Sequence, residues 1–271
     1  MQILDSKTMK YSFIPCKNPD DKKGVVVFCH GYAVTSEYFN TTAEWISEHY
    51  DYYAVELEGM GITPTIDKPN HLSPWYYAEQ LANFIAEDMD LNDIFLIGHS
   101  MGGGIVCMTA NLIPNRIKSL IMVSPMNSSI HLKLLNSFRI APTDQKSSWK
   151  AAKIIYKYPE KLFPQGENDP MILSEANRQL AIKENTKALM KNMSSLSNNK
   201  ALKKAEQNLT VQTYLIMCED DRIIDAGSAF RKMRKNPHIT PILVKDSGHV
   251  PFVDQFDQFK EILTTILDAN S

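Results

Sequence analysis

Little in this sequence suggests a covalent staple, a membrane anchor or a nucleic-acid partner. Its four cysteines, Cys16, Cys29, Cys107 and Cys218, are far apart with no CxxC pair, and three of them lie in apolar runs. That spacing argues against a disulfide framework or a thiolate metal site and suits small buried hydrophobes in a reducing compartment. No segment approaches the roughly 20 consecutive apolar residues of a membrane span, and the opening stretch MQILDSKTMKYSFIP lacks the continuous apolar core of a signal peptide. Positive charge is not in excess either, with 29 lysines and arginines against 31 acids and a formal net charge of -2. The one basic cluster, Arg231, Lys232, Arg234 and Lys235, is short and reads as the positively charged end of a solvated helix. Internal repeats and low-complexity linkers are missing as well. These absences lead us to expect a cytoplasmic protein with no transmembrane segment and no nucleic-acid partner. Transient contact with a membrane surface stays compatible with them.

What is present is an alternation. Short apolar, β-branched runs recur at 11–15, 25–30, 52–57, 93–99, 118–124, 211–218 and 239–245. Stretches with helical spacing at 36–50, 74–90, 101–113, 225–236 and 251–268 separate most of them. This is the pattern of an α/β protein whose mostly parallel sheet is covered on both faces. In the last helical stretch Phe252, Phe256, Phe259, Ile262, Leu263 and Ile266 fall on one stripe, which reads as core. Residues 126–207 break the rhythm: they are rich in lysine, asparagine and serine and show helical pieces but no convincing strand. So long a loop without structure of its own would be unusual. The predicted organisation is therefore a core of residues 1–125 and 208–271, with 126–207 inserted as a helical lobe.

The stretch LIGHSMGGGI, 96–105, places a serine between glycines directly after an apolar run and before another. A serine at such a strand-to-helix turn stands clear of the sheet in a strained backbone conformation. Gly98 and Gly102 remove the Cβ atoms that would collide where strand and helix approach. The amide of Met101, at the start of the helix, is aimed at whatever Ser100 attacks. A nucleophilic serine needs a base, and the base needs an orienting acid, in the chain order Ser, acid, His. Asp221, after the run ending at Cys218, and His249, after Gly248 beyond the last run, fall where that order wants them. Glu219 and Asp220 stay open as alternative acids, and Asp225 reads as a helix cap. Among the other histidines, His238 reads as a surface residue, His99 as a packing residue, and His49, His71 and His131 have no supporting pattern. Following the run 25–30, His30 and Gly31 form a tight turn that offers the amide of Tyr32 as a second oxyanion donor. His30 itself is expected to brace this loop by hydrogen bonds and to transfer no proton.

Taken together, HGY (30–32), ELEGMG (56–61), GHSMGG (98–103), CEDDRII (218–224) and SGHVPF (247–252) resemble the α/β-hydrolase superfamily. Within it, the chain resembles the esterase, monoacylglycerol lipase and lysophospholipase branch. The resemblance runs from about residue 11 to the end, outside the lobe. It implies an eight-stranded, mostly parallel sheet, a triad of Ser100, Asp221 and His249, an oxyanion hole from the Tyr32 and Met101 amides, and a lid made by the lobe. Two positions depart from the pattern. The family often has Gly where Cys218 stands, and Asp-x-Arg-Gly-x-Gly where residues 56–61 read Glu-Leu-Glu-Gly-Met-Gly. Neither carries the chemistry.

The activity expected is hydrolysis of a small-molecule ester or lipid through an acyl-enzyme, with no metal and no organic cofactor. Apolar residues of the lobe, Phe138, Ile140, Trp149, Ile154, Ile155, Tyr156, Leu162, Phe163, Met171, Ile172 and Leu173, are expected to line an acyl pocket or to hold the lobe together. Thioesterase and acyltransferase activity would use the same groups. An aminopeptidase is disfavoured, because iminopeptidases show Gly-Gly-Ser-Trp-Gly where His99 and Met101 flank the serine here. A binding module that retains the pocket without turnover is a further alternative from another class. Sequence leaves the oligomeric state open.

Overall fold

The computed structural model describes residues 2–60, 68–129, 142 and 144–270. Eight strands form one sheet: β1 (Ile3–Asp5), β2 (Lys10–Ile14), β3 (Gly24–Cys29), β4 (Tyr50–Glu56), β5 (Ile94–His99), β6 (Ile117–Val123), β7 (Thr213–Cys218) and β8 (Ile239–Val244). Their order across the sheet is β1-β2-β4-β3-β5-β6-β7-β8. β1 and β2 run antiparallel, as do β2 and β4, and every other pairing is parallel.

Seven of these strands fall within two residues of the apolar runs that predict them. β1 was not predicted: three residues reading Ile-Leu-Asp carry too little pattern to mark a strand, and only pairing with β2 makes one. β4 starts two residues earlier than its run, at Tyr50, which lies opposite Gly24 of β3, so the helical stretch predicted over 36–50 is shorter. It consists of a single tight turn over Ser36–Phe39 and then helix α1 (Asn40–Ile46).

Central strands are buried on both sides, which is why they read as unbroken apolar runs. All six residues of β5 are buried. Alternate residues serve different cores: Val27 and Cys29 of β3 join the cluster under α2 (Pro74–Asn83) and α3 (Met101–Leu112), whereas Val26 and Phe28 face the opposite cluster. That second layer is closed by α1 and, at the C-terminus, by α10 (Pro251–Asp254) and α11 (Phe256–Ala269). Of the predicted stripe, Phe252, Phe259, Leu263 and Ile266 are buried, at roughly 1.5–3 kcal/mol per side chain. Phe256 and Ile262 are half-buried. β8, with neighbours on one side only, tolerates Pro241 because an edge strand has an N–H to spare.

Between β6 and β7 the described residues form helices joined by turns and irregular segments, with no strand: α4 (Gln145–Ile155), α5 (Pro159–Leu162), α6 (Pro170–Ala181), α7 (Lys183–Met193) and α8 (Leu196–Asn208). Three of these start on side chains that accept from exposed backbone amides: Asp144 from Ser147, Asp169 from Met171 and Ser195 from Asn198. Helix α9 (Ala226–Met233) begins in the same way, with Asp225 accepting from the Ser228 amide, so Asp225 is a cap. Gly61, His131, Phe138 and Ile140 lie outside the described residues. Among the described residues no helix is long and apolar enough to cross a membrane.

The chain leaves β3 to one side for β4 and returns on the other side for β5. Such a reversal opens a crevice beyond the carboxyl ends of the two strands, where ligands bind in open α/β sheets. The turn at His30 and the serine at position 100 both sit on its rim.

Candidate active site

Ser100 follows β5 directly and has φ 55° and ψ -120°, a conformation that a residue bearing a Cβ adopts only when its surroundings hold it there. The close packing of β5 and α3 supplies that constraint. A Cβ on Gly98 would strike the Gly102 carbonyl and sit 2.6 Å from Val106 Cγ2. One on Gly102 would run into the carbonyl oxygens of Cys29 and His30, at the end of β3. The two glycines therefore seat the elbow against its neighbours. The Ser100 amide donates to Val123 O at 3.0 Å and its carbonyl accepts from Met126 N at 2.7 Å, tying the turn to the end of β6.

The three distant segments converge. His249 Nε2 lies 2.8 Å from Ser100 Oγ, and His249 Nδ1 lies 2.7 Å from Asp221 Oδ2. With Nδ1–H donating to the carboxylate, Nε2 is left as the acceptor for the serine hydroxyl. Asp221 and His249 are buried, at 2 % and 4 % exposure. The other carboxylate oxygen, Asp221 Oδ1, accepts from the amides of Ile223 and Ile224 at 2.7 and 2.9 Å, which aims Oδ2 at the imidazole. Burial pushes the Asp221 carboxyl up, but the nearby imidazole, its hydrogen bond and the two amides outweigh burial, so the group stays below the usual carboxylate value. The alternative acids are occupied elsewhere: Glu219 accepts from Asp246 N, and Asp220 is paired with Lys157 Nζ at 2.6 Å.

His30 and Gly31 pack against the elbow. A Cβ on Gly31 would lie 3.2 Å from Ser100 Cβ. His30 Nδ1 donates to Gly31 O at 2.8 Å, and its Nε2 accepts from Leu57 N at 3.0 Å. Gly31 C=O and Tyr32 N–H share one rigid peptide plane and point opposite ways, so the bond from His30 also orients the Tyr32 amide. Among the described residues neither the Tyr32 nor the Met101 amide has an acceptor. Burial pushes His30 down to about 4, which keeps it neutral and in this bracing tautomer.

Four features were not predicted. His99 is buried as expected, but its Nε2 also donates to the carbonyl of His249 at 2.9 Å, steadying the loop that carries the base. Burial, and then the neighbouring His249 ring, pushes His99 down to about 3. The amide of His249 donates to Ile155 O at 2.8 Å, so the end of α4 reaches the same loop. Glu56, at the end of β4, is 2 % exposed, accepts from Ser36 N at 3.1 Å and lies 3.6 Å from His30 Nε2. A lone carboxylate closing the apolar run Tyr52–Val55 was the available sign of it. Gln179 and Arg178 of α6 meet the carbonyl of Ala33, and nothing in their helical spacing marks them.

The remaining described histidines lie apart from the site: His49 pairs with Asp21, His71 with Glu58, and His238 is exposed. Among the apolar residues expected of the lobe, Tyr156, Phe163 and Ile172 are buried in the second core cluster. Met171 and Leu173 instead are exposed, at 63 % and 41 %. A groove of about 760 Å³ lined by Trp75, Asn111, Leu112, Asn192, Asn198 and Lys204 holds none of the three converging groups. The chemistry, rather than the room available, locates the site.

A family model described as the alpha/beta hydrolase fold matches residues 24–256. A Mycoplasma genitalium protein named "Putative esterase/lipase 3" is 30% identical over 98% of this chain and 94% of its own length. Its namesake in Mycoplasma pneumoniae is 28% identical over 100% of this chain and 96% of its own. Among solved structures, a serine hydrolase from the polyaromatic-hydrocarbon-degrading bacterium Cycloclasticus zankles superposes with a TM-score of 0.83, covering 98% of this chain and 97% of that one. At 14% identity that likeness speaks for the fold alone. Its sheet order, the serine elbow at the switch point and a family match over most of its length make this protein a member of the α/β hydrolase fold family.

Proposed function

We propose that this protein is a serine hydrolase of carboxylic esters that works through an acyl-enzyme on Ser100. The observation that carries the reading is the unbroken run of contacts from Ser100 Oγ to His249 Nε2 at 2.8 Å and from His249 Nδ1 to Asp221 Oδ2 at 2.7 Å. The names of the two Mycoplasma relatives support the ester class.

Ser100 Oγ attacks the ester carbonyl while His249 Nε2 takes its proton, and Asp221 stabilises the imidazolium that results. The amides of Tyr32 and Met101 receive the oxyanion of the tetrahedral intermediate. Collapse expels the alcohol, which His249 protonates, and leaves the acyl group on Ser100. Water, deprotonated by the same imidazole, then releases the acid and restores the hydroxyl.

Residues 126–207 act as a cap over this site. Ile155 O on His249 N supports that reading, as do Lys157 N on Asp254 and Tyr32 Oη on Thr186 O, each of which joins the inserted helices to a loop of the core. The substrate class is short- to medium-chain acyl esters, monoacylglycerols or lysophospholipid-like lipids.

A fluorophosphonate probe tests the reading. One adduct is expected, at Ser100, abolished in Ser100→Ala and strongly reduced in His249→Ala. A chain-length series of p-nitrophenyl esters, run beside a matching thioester, then reads the acyl preference. A folded wild-type protein that neither labels nor turns over any ester would mark the chain as a binding module.

A further inference from the structure

Two ends of the loop that follows β3 are held by the core. His30 fixes Gly31, and Glu56 accepts from the Ser36 amide at 3.1 Å. Between them the backbone at Ala33 is left-handed, with φ 56°. That is an uncommon state for a residue with a Cβ, and it persists only where the surroundings insist on it.

The partners holding Ala33 come from the inserted helices. Gln179 Nε2, on α6, donates to Ala33 O at 2.7 Å, and Arg178 Nη2 donates to the same oxygen. Both donors are aimed by one carboxylate. Glu175 accepts from Gln179 Nε2 at 2.7 Å and from Arg178 Nε and Nη2 at 2.9 and 2.7 Å. Gln179 is buried, with 4 % exposure, so its donors do not compete with bulk water. One residue earlier, Tyr32 Oη donates to Thr186 O on α7 at 3.0 Å. Residues 32 and 33 are thus pinned from α6 and α7, and Tyr32 carries the amide that faces the oxyanion.

We propose that Gln179, assisted by Arg178, is a positioning residue that keeps Ala33 left-handed and so holds the Tyr32 amide where the oxyanion forms. The proposal rests on the ester-hydrolase reading above. Without those two donors Ala33 relaxes toward ordinary backbone angles and carries the neighbouring peptide with it. An oxyanion donor works by being fixed in place before charge develops, so a small displacement weakens the transition state and leaves ground-state binding alone. It follows that the reaction is competent only while α6 is seated on the core. A cap that lifts to admit substrate would disassemble the oxyanion hole and rebuild it on closing.

The test uses the full-length protein and p-nitrophenyl esters, with Ser100 titrated by the fluorophosphonate so that rates are per active site. Gln179→Met keeps the length and burial of the side chain and removes the donor. Its kcat per titrated site is expected to fall about tenfold or more, short of the hundred- to thousandfold loss seen when an oxyanion donor is removed outright. KM should stay within about twofold, and the inhibition constant of an alkyl boronic acid should rise by the same factor as kcat/KM falls. Arg178→Met should show a smaller loss of the same kind, and Arg178→Lys should recover part of it. If Gln179→Met fails to fold, Arg178→Met against Arg178→Lys carries the comparison, since Arg178 is partly exposed. A folded variant with a lower melting temperature but unchanged kcat per site would overturn the proposal. Wild-type protein inert to both ester and probe would instead refute the hydrolase reading on which it stands.

Discussion

Asp221→Asn is the substitution whose outcome the geometry specifies most closely. Asp221 presents one oxygen to the amides of Ile223 and Ile224, at 2.7 and 2.9 Å, and the other to His249 Nδ1, at 2.7 Å. An asparagine there keeps its carbonyl oxygen on the two amides, because its NH2 would otherwise face two donors. The NH2 must then face Nδ1. A donor against Nδ1–H is repulsive, so the imidazole shifts its proton to Nε2, and Nε2–H can no longer accept from Ser100 Oγ. Since the site is buried, water does not repair the mismatch. In enzymes with this constellation the acid-to-amide change lowers kcat by about ten-thousandfold, about 5.5 kcal/mol of barrier. The expected result is a kcat reduced by about three to four orders of magnitude with KM close to wild type, measured by p-nitrophenyl ester turnover on protein of unchanged circular dichroism. A kcat within tenfold of wild type would show that Asp221 does not set the tautomer, and that the acid must be sought elsewhere.

Two further outcomes test the frame around the site. Gly102→Ala places a Cβ against the carbonyls of Cys29 and His30, with Cys29 C at 2.8 Å. Backbone has little room to give, so about 3 kcal/mol of stability should be lost, read as a lower urea midpoint, with Ser100 labelling falling alongside; an unchanged midpoint would refute the packing argument. Glu56→Gln should flatten the pH dependence of stability. Burial holds this carboxyl up at about 7 from its ordinary 4.5, so the unfolded chain releases its proton first. Stability from this group is full at low pH and declines by about 3 kcal/mol as pH rises from about 5 to 7. Urea melts at pH 5 and pH 8 should therefore show the variant gaining on wild type at the higher pH, and parallel curves would contradict the assignment.

Much of this could be read from the chain because parallel strands buried on both faces leave unbroken apolar runs. The elbow must also spell itself in small residues: Gly98 and Gly102 are glycine because a carbonyl or a side chain occupies the place where Cβ would be. Ser100, Asp221 and His249 were legible for a related reason, since each follows a strand that the pattern marks and the order of the three is constrained. β1 was not legible, because an edge strand of three residues has no periodicity to display. The stretch 144–207 was readable as helical and no further. Which of its apolar residues face solvent depends on how the helices pack, and Met171 and Leu173 turned outward although their composition resembles that of buried Ile172.

Sequence by itself determined seven of the eight strands, the elbow, and Ser100 and His249, with Asp221 marked among neighbouring carboxylates, because local sterics and burial act on residues close in the chain. Tertiary structure alone decided the supports: His99 on the carbonyl of His249, Glu56 beneath the loop after β3, and Gln179 with Arg178 on Ala33. These contacts join residues 20 to 150 positions apart. A hydrogen bond depends on where two groups meet in space, and nothing in the spacing along either segment encodes that meeting.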